Sequence, residues 1–195
     1  MENTVQEPAP QYNFISPKEY LEMERASDEK HEYFDGHVYF MSGASLKHAK
    51  VATNLTGNLF TYLSDKECSV LGENIRVTSP SNDSYMYPDV LIVCGKEELE
   101  DEHFDTLLNP SVVFEILSPS TRSIDKGRKM MYYKEIPSLK EYFMVDTERQ
   151  QVHCVRRQPT GDWRLETVTG EMSDLFIETI QFSLSLSNIY KGTGI

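Results

Sequence analysis

Apolar residues along this chain recur with two spacings, and the change from one to the other marks the elements. Over residues 45–64, Ala52, Leu55, Leu59 and Leu63 recur at helical spacing with Ala49, Val51, Phe60 and Tyr62 beside them, which predicts the longest helix, with a core-facing stripe. A shorter helix opens at Ser16-Pro17-Lys18-Glu19, with serine at the N-cap, proline at the first helical position and glutamate three residues after the cap. It runs to about Arg25. Between the two, residues 31–41 are aromatic-rich sequence around Asp35-Gly36, a pair that tolerates the positive φ of a tight turn, and predict a β-hairpin.

Downstream the spacing shortens. Residues 69–78 read as a strand with a turn at Gly72, residues 79–83 as a loop, and Tyr87-Pro88-Asp89-Val90-Leu91-Ile92-Val93 as a strand that Asp89 opens. The acidic connector GKEELEDEHFD is expected to be solvated surface. Val112-Val113-Phe114-Glu115-Ile116-Leu117 follows, five apolar residues around one carboxylate. It reads as a strand buried on both faces, although periodicity alone leaves a helix open. Residues 121–135 predict a helix ended by Ile136-Pro137, on which Asp125, Lys129 and Tyr133 stand four apart and share a face. A strand over 139–145 ends at Asp146, a late hairpin spans 151–157 and 163–168 around Thr160-Gly161-Asp162, and residues 181–186 alternate. This order predicts an α/β (or α+β) fold with a mixed central sheet flanked by helices and an N-terminal helix and hairpin. Residues 1–13 are expected to be a disordered tail, and 14–195 a single domain.

Composition narrows the class. No apolar stretch approaches a membrane span, and the first residues have neither the basic start nor the hydrophobic centre of a signal peptide, so a soluble, cytoplasmic protein with no membrane partner is expected. Cys68, Cys94 and Cys154 are odd in number and far apart, which favours buried reduced thiols over disulfides or zinc. The net charge of −12 argues against nucleic acid, yet residues 121–157 hold nine Lys or Arg against five Asp or Glu. That basic segment begins just after the glutamate strand, where a polyanionic substrate would need it. Its alternative is the solvated face of a helix.

Burying Glu115 needs a reason, because an ionised carboxylate taken out of water costs several kcal/mol or more unless a cation or hydrogen bonds replace its hydration. If the Asp89 strand is its neighbour, the two carboxylates can converge on one hard divalent cation such as Mg²⁺ or Mn²⁺. Such a cation polarises a phosphoryl oxygen and lowers the pKa of bound water, and a nearby lysine orients that water. Simpler readings stand beside this one. Glu115 can be partnered by an arginine, Asp89 can be a turn residue, Lys129 can be a surface lysine or merely the salt-bridge partner of Glu115, His48 can cap the long helix, and Tyr132 and Tyr133 can be packing.

The hairpin EYFDGHVYFMSG, the helix entry around His48, the Pro88-Asp89 entry, NPSVVFEILSPST, the Asp125, Lys129 and Tyr133 spacing and EYFMVD together resemble the Uma-two family of the PD-(D/E)XK nuclease superfamily, over most of residues 17–195. The resemblance implies metal-dependent DNA hydrolysis, usually by homodimers, in a restriction-endonuclease-like fold. It places the first acidic position on Asp89 and the second on Glu115, with the Ile116 carbonyl as a further metal ligand. The usual lysine position is Leu117, so Lys129 is the expected substitute and Lys126 the second choice. An acidic residue on the first core helix is also missing, and Glu32 is its candidate replacement. Two rival functions are a catalytically inactive domain of this fold that binds nucleic acid or a protein partner, and a two-carboxylate glycosidase.

Overall fold

The computed structural model describes residues 14–118 and 122–195; the expected tail and the start of the helix predicted from residue 121 lie outside them. Helix α1 (Pro17–Arg25) carries the predicted capping box between Ser16 and Glu19. Strands β1 (His31–Phe34) and β2 (His37–Phe40) form the predicted hairpin, turning through Asp35 at φ 48° and Gly36 at φ 85°. Helix α2 (Leu46–Leu63), capped by Ser45, buries Leu55, Leu59 and Leu63 of the predicted stripe, with Val51 fully buried and Ala52 only half-buried.

The stretch expected as one strand with a turn at Gly72 is instead two, β3 (Cys68–Gly72) and β4 (Arg76–Thr78), and they enter different sheets. Next come β5 (Ser84–Met86), β6 (Val90–Cys94), β7 (Thr106–Leu107) and β8 (Val112–Leu117), the last buried throughout. A helical crossover follows, made of α3 (Arg122–Ile124), a π-helical turn (Asp125–Lys129) and α4 (Met130–Glu135). The chain then forms β9 (Glu141–Asp146), β10 (Gln151–Arg157), β11 (Trp163–Thr169), β12 (Asp174–Ile177), β13 (Phe182–Ser185) and α5 (Leu186–Ile189).

The central sheet has the order β11-β10-β9-β8-β6-β3 and is mixed: β8 and β9 run parallel, the other neighbours antiparallel. Parallel neighbours need a long connection, which the crossover supplies. A five-stranded sheet, β2-β1-β5-β4-β7, and a β12-β13 ribbon complete the architecture. One face of the central sheet packs Val90, Ile92, Phe114 and Phe143 against α2; the other packs Leu91, Val113, Leu117 and Tyr142 against Tyr132, Tyr133 and Ile136 of the crossover. Glu115 shares the strand parity of Val113 and Leu117, so it lies under the crossover. No helix among the described residues is long and apolar enough to cross a membrane.

Two expectations are corrected. Cys68 and Cys94 form a disulfide, and Cys154 stays free and buried. The antiparallel register of β3 on β6 sets Cys68 directly opposite Cys94, a proximity that their separation of 26 residues conceals in the sequence. The acidic connector is not merely solvated surface. Asp101 and Asp105 clamp Arg25 at 2.7 and 2.8 Å, Asp105 also meets Arg76, and Glu100 accepts from the Tyr85 hydroxyl at 2.6 Å.

Candidate active site

Glu115 is 2% exposed, and its Oε1 accepts from the Tyr133 hydroxyl at 2.9 Å and from Lys129 Nζ at 3.2 Å. The same ammonium lies 2.7 Å from Glu32 Oε1 on β1 and 3.6 Å from Asp125 Oδ1. Glu32 Oε1 also accepts from the Tyr87 backbone N–H at 3.0 Å, which ties the hairpin to the segment leading into Asp89. One lysine thus faces carboxylates from three separate elements: the hairpin, the central strand and its own helix.

The crossover aims Lys129 through its π turn, in which hydrogen bonds close at i→i+5 rather than i→i+4. Asp125 and Lys129, at its two ends, are both buried, and Tyr133 follows on α4. The Tyr142 hydroxyl on β9 donates to the Asp125 carbonyl at 2.9 Å. Arg128 stacks its guanidinium over Phe34 and Tyr39, and the Tyr132 hydroxyl donates to Asp35, so the crossover is fastened to the hairpin that brings Glu32.

Asp89, expected to open the adjoining strand, lies in the bend just before β6 begins at Val90. Val90 pairs with Phe114, and continuing that antiparallel register by one residue sets Asp89 opposite Glu115. Its Oδ2 accepts from the Ile116 N–H at 2.6 Å, and its Oδ1 lies 3.1 Å from His48 Nε2. His48 does close the first turn of α2, its backbone N–H donating to Ser45 Oγ at 3.2 Å, while its ring reaches Asp89. The sequence carried no signal for that second contact.

Burial pushes the Glu115 carboxyl well above the usual carboxylate range; Lys129 opposes the rise, and Asp125, Asp89 and Glu32 add to it. Burial would neutralise Lys129, but Glu115, Glu32 and Asp125 outweigh it and hold the ammonium firmly charged. One cation among several carboxylates therefore favours a proton on Glu115. For His48, burial acts downward, and the hydrogen bond to Asp89 together with the charges of Asp89, Glu73 and Asp125 outweighs it, so the net shift is upward.

Of the residues read from the sequence, Glu115 and Lys129 are in contact, Glu32 joins them, and Asp89 adjoins through the backbone of Ile116. The cation that partners Glu115 is this lysine, not an arginine. Lys126 does not reach Glu115; its Nζ lies 2.9 Å from His153 Nε2. Leu117 is wholly buried. Tyr133, expected as packing, also hydrogen-bonds the carboxylate, and its place four residues after Lys129 was the available clue.

The oxygen donors suit a hard divalent cation in kind. As the side chains stand, that donor set is already engaged. Lys129 stands against Glu115, Asp89 is directed to the Ile116 N–H and His48, and among the described residues no group of three or more His, Cys, Asp or Glu side chains is set to hold a metal ion.

The sequence model of the family described as "Uma2: Putative restriction endonuclease" matches residues 17–187. The uncharacterized protein slr1290 of Synechocystis sp. is 31% identical over 186 residues, covering 95% of this chain and 96% of that protein. The uncharacterized protein sll1609 of the same organism is 29% identical over 161 residues, covering 83% and 91%. Among solved structures, a "putative nuclease belonging to DUF820" from Anabaena variabilis superposes with a TM-score of 0.75 at 16% identity, over 92% of this chain and 99% of that one.

Proposed function

Because the chain belongs to the Uma2 family and has the restriction-endonuclease-like fold, we propose that its Glu115 site acts on DNA phosphodiester bonds, as a metal-dependent endonuclease. The observation that carries this is the contact of Lys129 with strand-borne Glu115, beside Asp89 at the entry to the neighbouring strand. In this reading Asp89 and Glu115 are the acidic groups, with the Ile116 carbonyl beside them. Lys129 orients the attacking water and balances charge at phosphorus. Mg²⁺ or Mn²⁺ would supply Lewis acidity toward the phosphoryl oxygen. The homodimer and the DNA partner belong to the same reading.

A second reading is the better matched by the arrangement as it stands: a catalytically inactive nuclease-fold domain that binds nucleic acid or a protein. Leu117 at the usual lysine position favours it, as does the absence, among the described residues, of a ready cation-holding group. The deciding measurement is nicking of supercoiled DNA with Mg²⁺ or Mn²⁺ by the unaltered chain, Glu115→Ala and Lys129→Ala, purified identically. Cation-dependent nicking that vanishes in both variants upholds the endonuclease. DNA binding with no turnover above the Glu115→Ala background upholds the inactive domain.

A further inference from the structure

The cross-strand register extends the Glu115 row beyond the cluster. Glu115 pairs with Met144, Met144 with His153, and His153 with Thr167, so these side chains form one row on the crossover face of the central sheet. Two strand spacings separate Glu115 from His153, about 10 Å at ~4.8 Å each. The π turn spans both positions, presenting Lys129 to Glu115 and Lys126 to His153.

The Lys126–His153 pair joins two basic groups. An ammonium donates, so His153 Nε2 accepts from it at 2.9 Å and His153 Nδ1–H donates to Thr167 Oγ1 at 3.1 Å. Nearby, Arg122 is bonded to Asp146 at 2.6 and 3.0 Å and to Glu148 at 2.8 Å, while the largely exposed Arg149 reaches Asp146 only at 3.8 Å. The partner of the Lys126 ammonium is thus an imidazole where Arg122 has carboxylates. Partial burial lowers the pKa of Lys126, and Arg122 and Arg149 lower it further; burial and then Lys126 lower that of His153. Crowded like charges of this kind are relieved by an anion. The pair and its neighbours remain open to solvent.

We propose that Lys126 and His153, flanked by Arg122 and Arg149, seat a backbone phosphate of the nucleic-acid strand a few nucleotides along from the phosphate that meets Glu115. This rests on the nucleic-acid reading of the Glu115 site and deepens it. An about 10 Å offset corresponds to roughly three nucleotides at ~3.4 Å of rise, so one strand lying along the row meets both positions. In a chain of net charge −12, such a local seat also answers how a polyanion is held.

The test is equilibrium binding of a short fluorescein-labelled duplex, and of its single strand, to Glu115→Ala protein in chelator across a potassium chloride series. Adding Lys126→Ala should weaken binding several-fold and reduce the slope of log K against log salt by about 0.9, the effect of losing one phosphate contact. Lys126→Arg should restore both, and Lys18→Ala, on the exposed face of α1, should change neither. An unchanged slope in Lys126→Ala, with DNA still bound, overturns the seat and leaves the function standing. No DNA binding by any form overturns both. A reduced slope in a protein that never nicks DNA keeps the seat and removes the hydrolysis.

Discussion

Two buried acid–base pairs sit on neighbouring strands of the central sheet, Glu115 with Lys129 and Glu141 with Arg156, and they are built differently. Glu141 is fully matched: Arg156 Nε donates at 3.0 Å, and the backbone N–H groups of Glu178 and Thr179 donate at 3.0 and 2.8 Å. Arg156 in turn donates to the Phe176 carbonyl. This pair staples β9 and β10 to the chain after β12. Glu115 has one ammonium to share with two other carboxylates and a single tyrosine hydroxyl. A carboxylate saturated with fixed donors stabilises one geometry; one left under-neutralised keeps capacity for another cation or a proton.

The contrast is most directly broken by removing each pair. Arg156→Met should cost about 3–5 kcal/mol in urea unfolding, because it strands Glu141 in the interior. Lys129→Met with Glu115→Gln should still be costly, since it also takes the shared ammonium from buried Glu32 and Asp125, whereas Glu115→Gln alone should cost far less. If the endonuclease reading holds, Glu115→Gln should lower nicking by about 100-fold, roughly 2.7 kcal/mol, while leaving the melting temperature unchanged or higher. The corresponding Glu141→Gln change should show the reverse, with lowered melting temperature and unchanged rate per folded molecule.

Acid sharpens the comparison through its sign. Asp105 belongs with the matched groups: the hydrogen bond from Arg25, and next that from Arg76, overcome burial and hold its carboxyl below the ordinary range. Its contribution is complete above about pH 4, the unfolded value, and is lost as pH falls toward the folded one. Glu115 is raised, so its effect runs the other way: stability declines as pH rises from about 4.5 through its folded value. Denaturant unfolding against pH should therefore show Asp105→Asn flattening the acid limb, and Glu115→Gln removing a decline on the neutral side. The smallest effect expected is at Gly127, where an added methyl meets no atom within 4 Å and φ is not positive. Gly127→Ala should stabilise by about 0.4–1 kcal/mol by restricting the unfolded chain, measurable by urea titration.

Much of this was legible in the residues because local patterns carry it. The capping box, the Asp35-Gly36 turn and the stripe of α2 each reside in a few adjacent positions. The buried run holding Glu115 announced a strand because its single carboxylate stood out against five apolar neighbours. Register did not show. The Cys68–Cys94 bond, the reach of His48 to Asp89 and the division of β3 from β4 between two sheets all depend on which strands become neighbours. The acidic connector misled for a related reason, since its partners Arg25 and Arg76 are far away in sequence. Strand β5, β12 and α5 were too short to give a periodic signal.

The π turn has a meaning in the language of inheritance. It spends one residue more per turn than an α-helix would, between a strand and a helix whose positions the two sheets already fix. Loss of a single codon between Lys126 and Lys129 would let the crossover relax to an ordinary helix, leaving the two lysines two residues apart and about 200° apart around its axis. Lys129 and Lys126 would then no longer both face the sheet row, though the sheets themselves would keep their pairing. The shortest in-frame deletion a gene can suffer is thus enough to separate an armed descendant of this fold from a silent one.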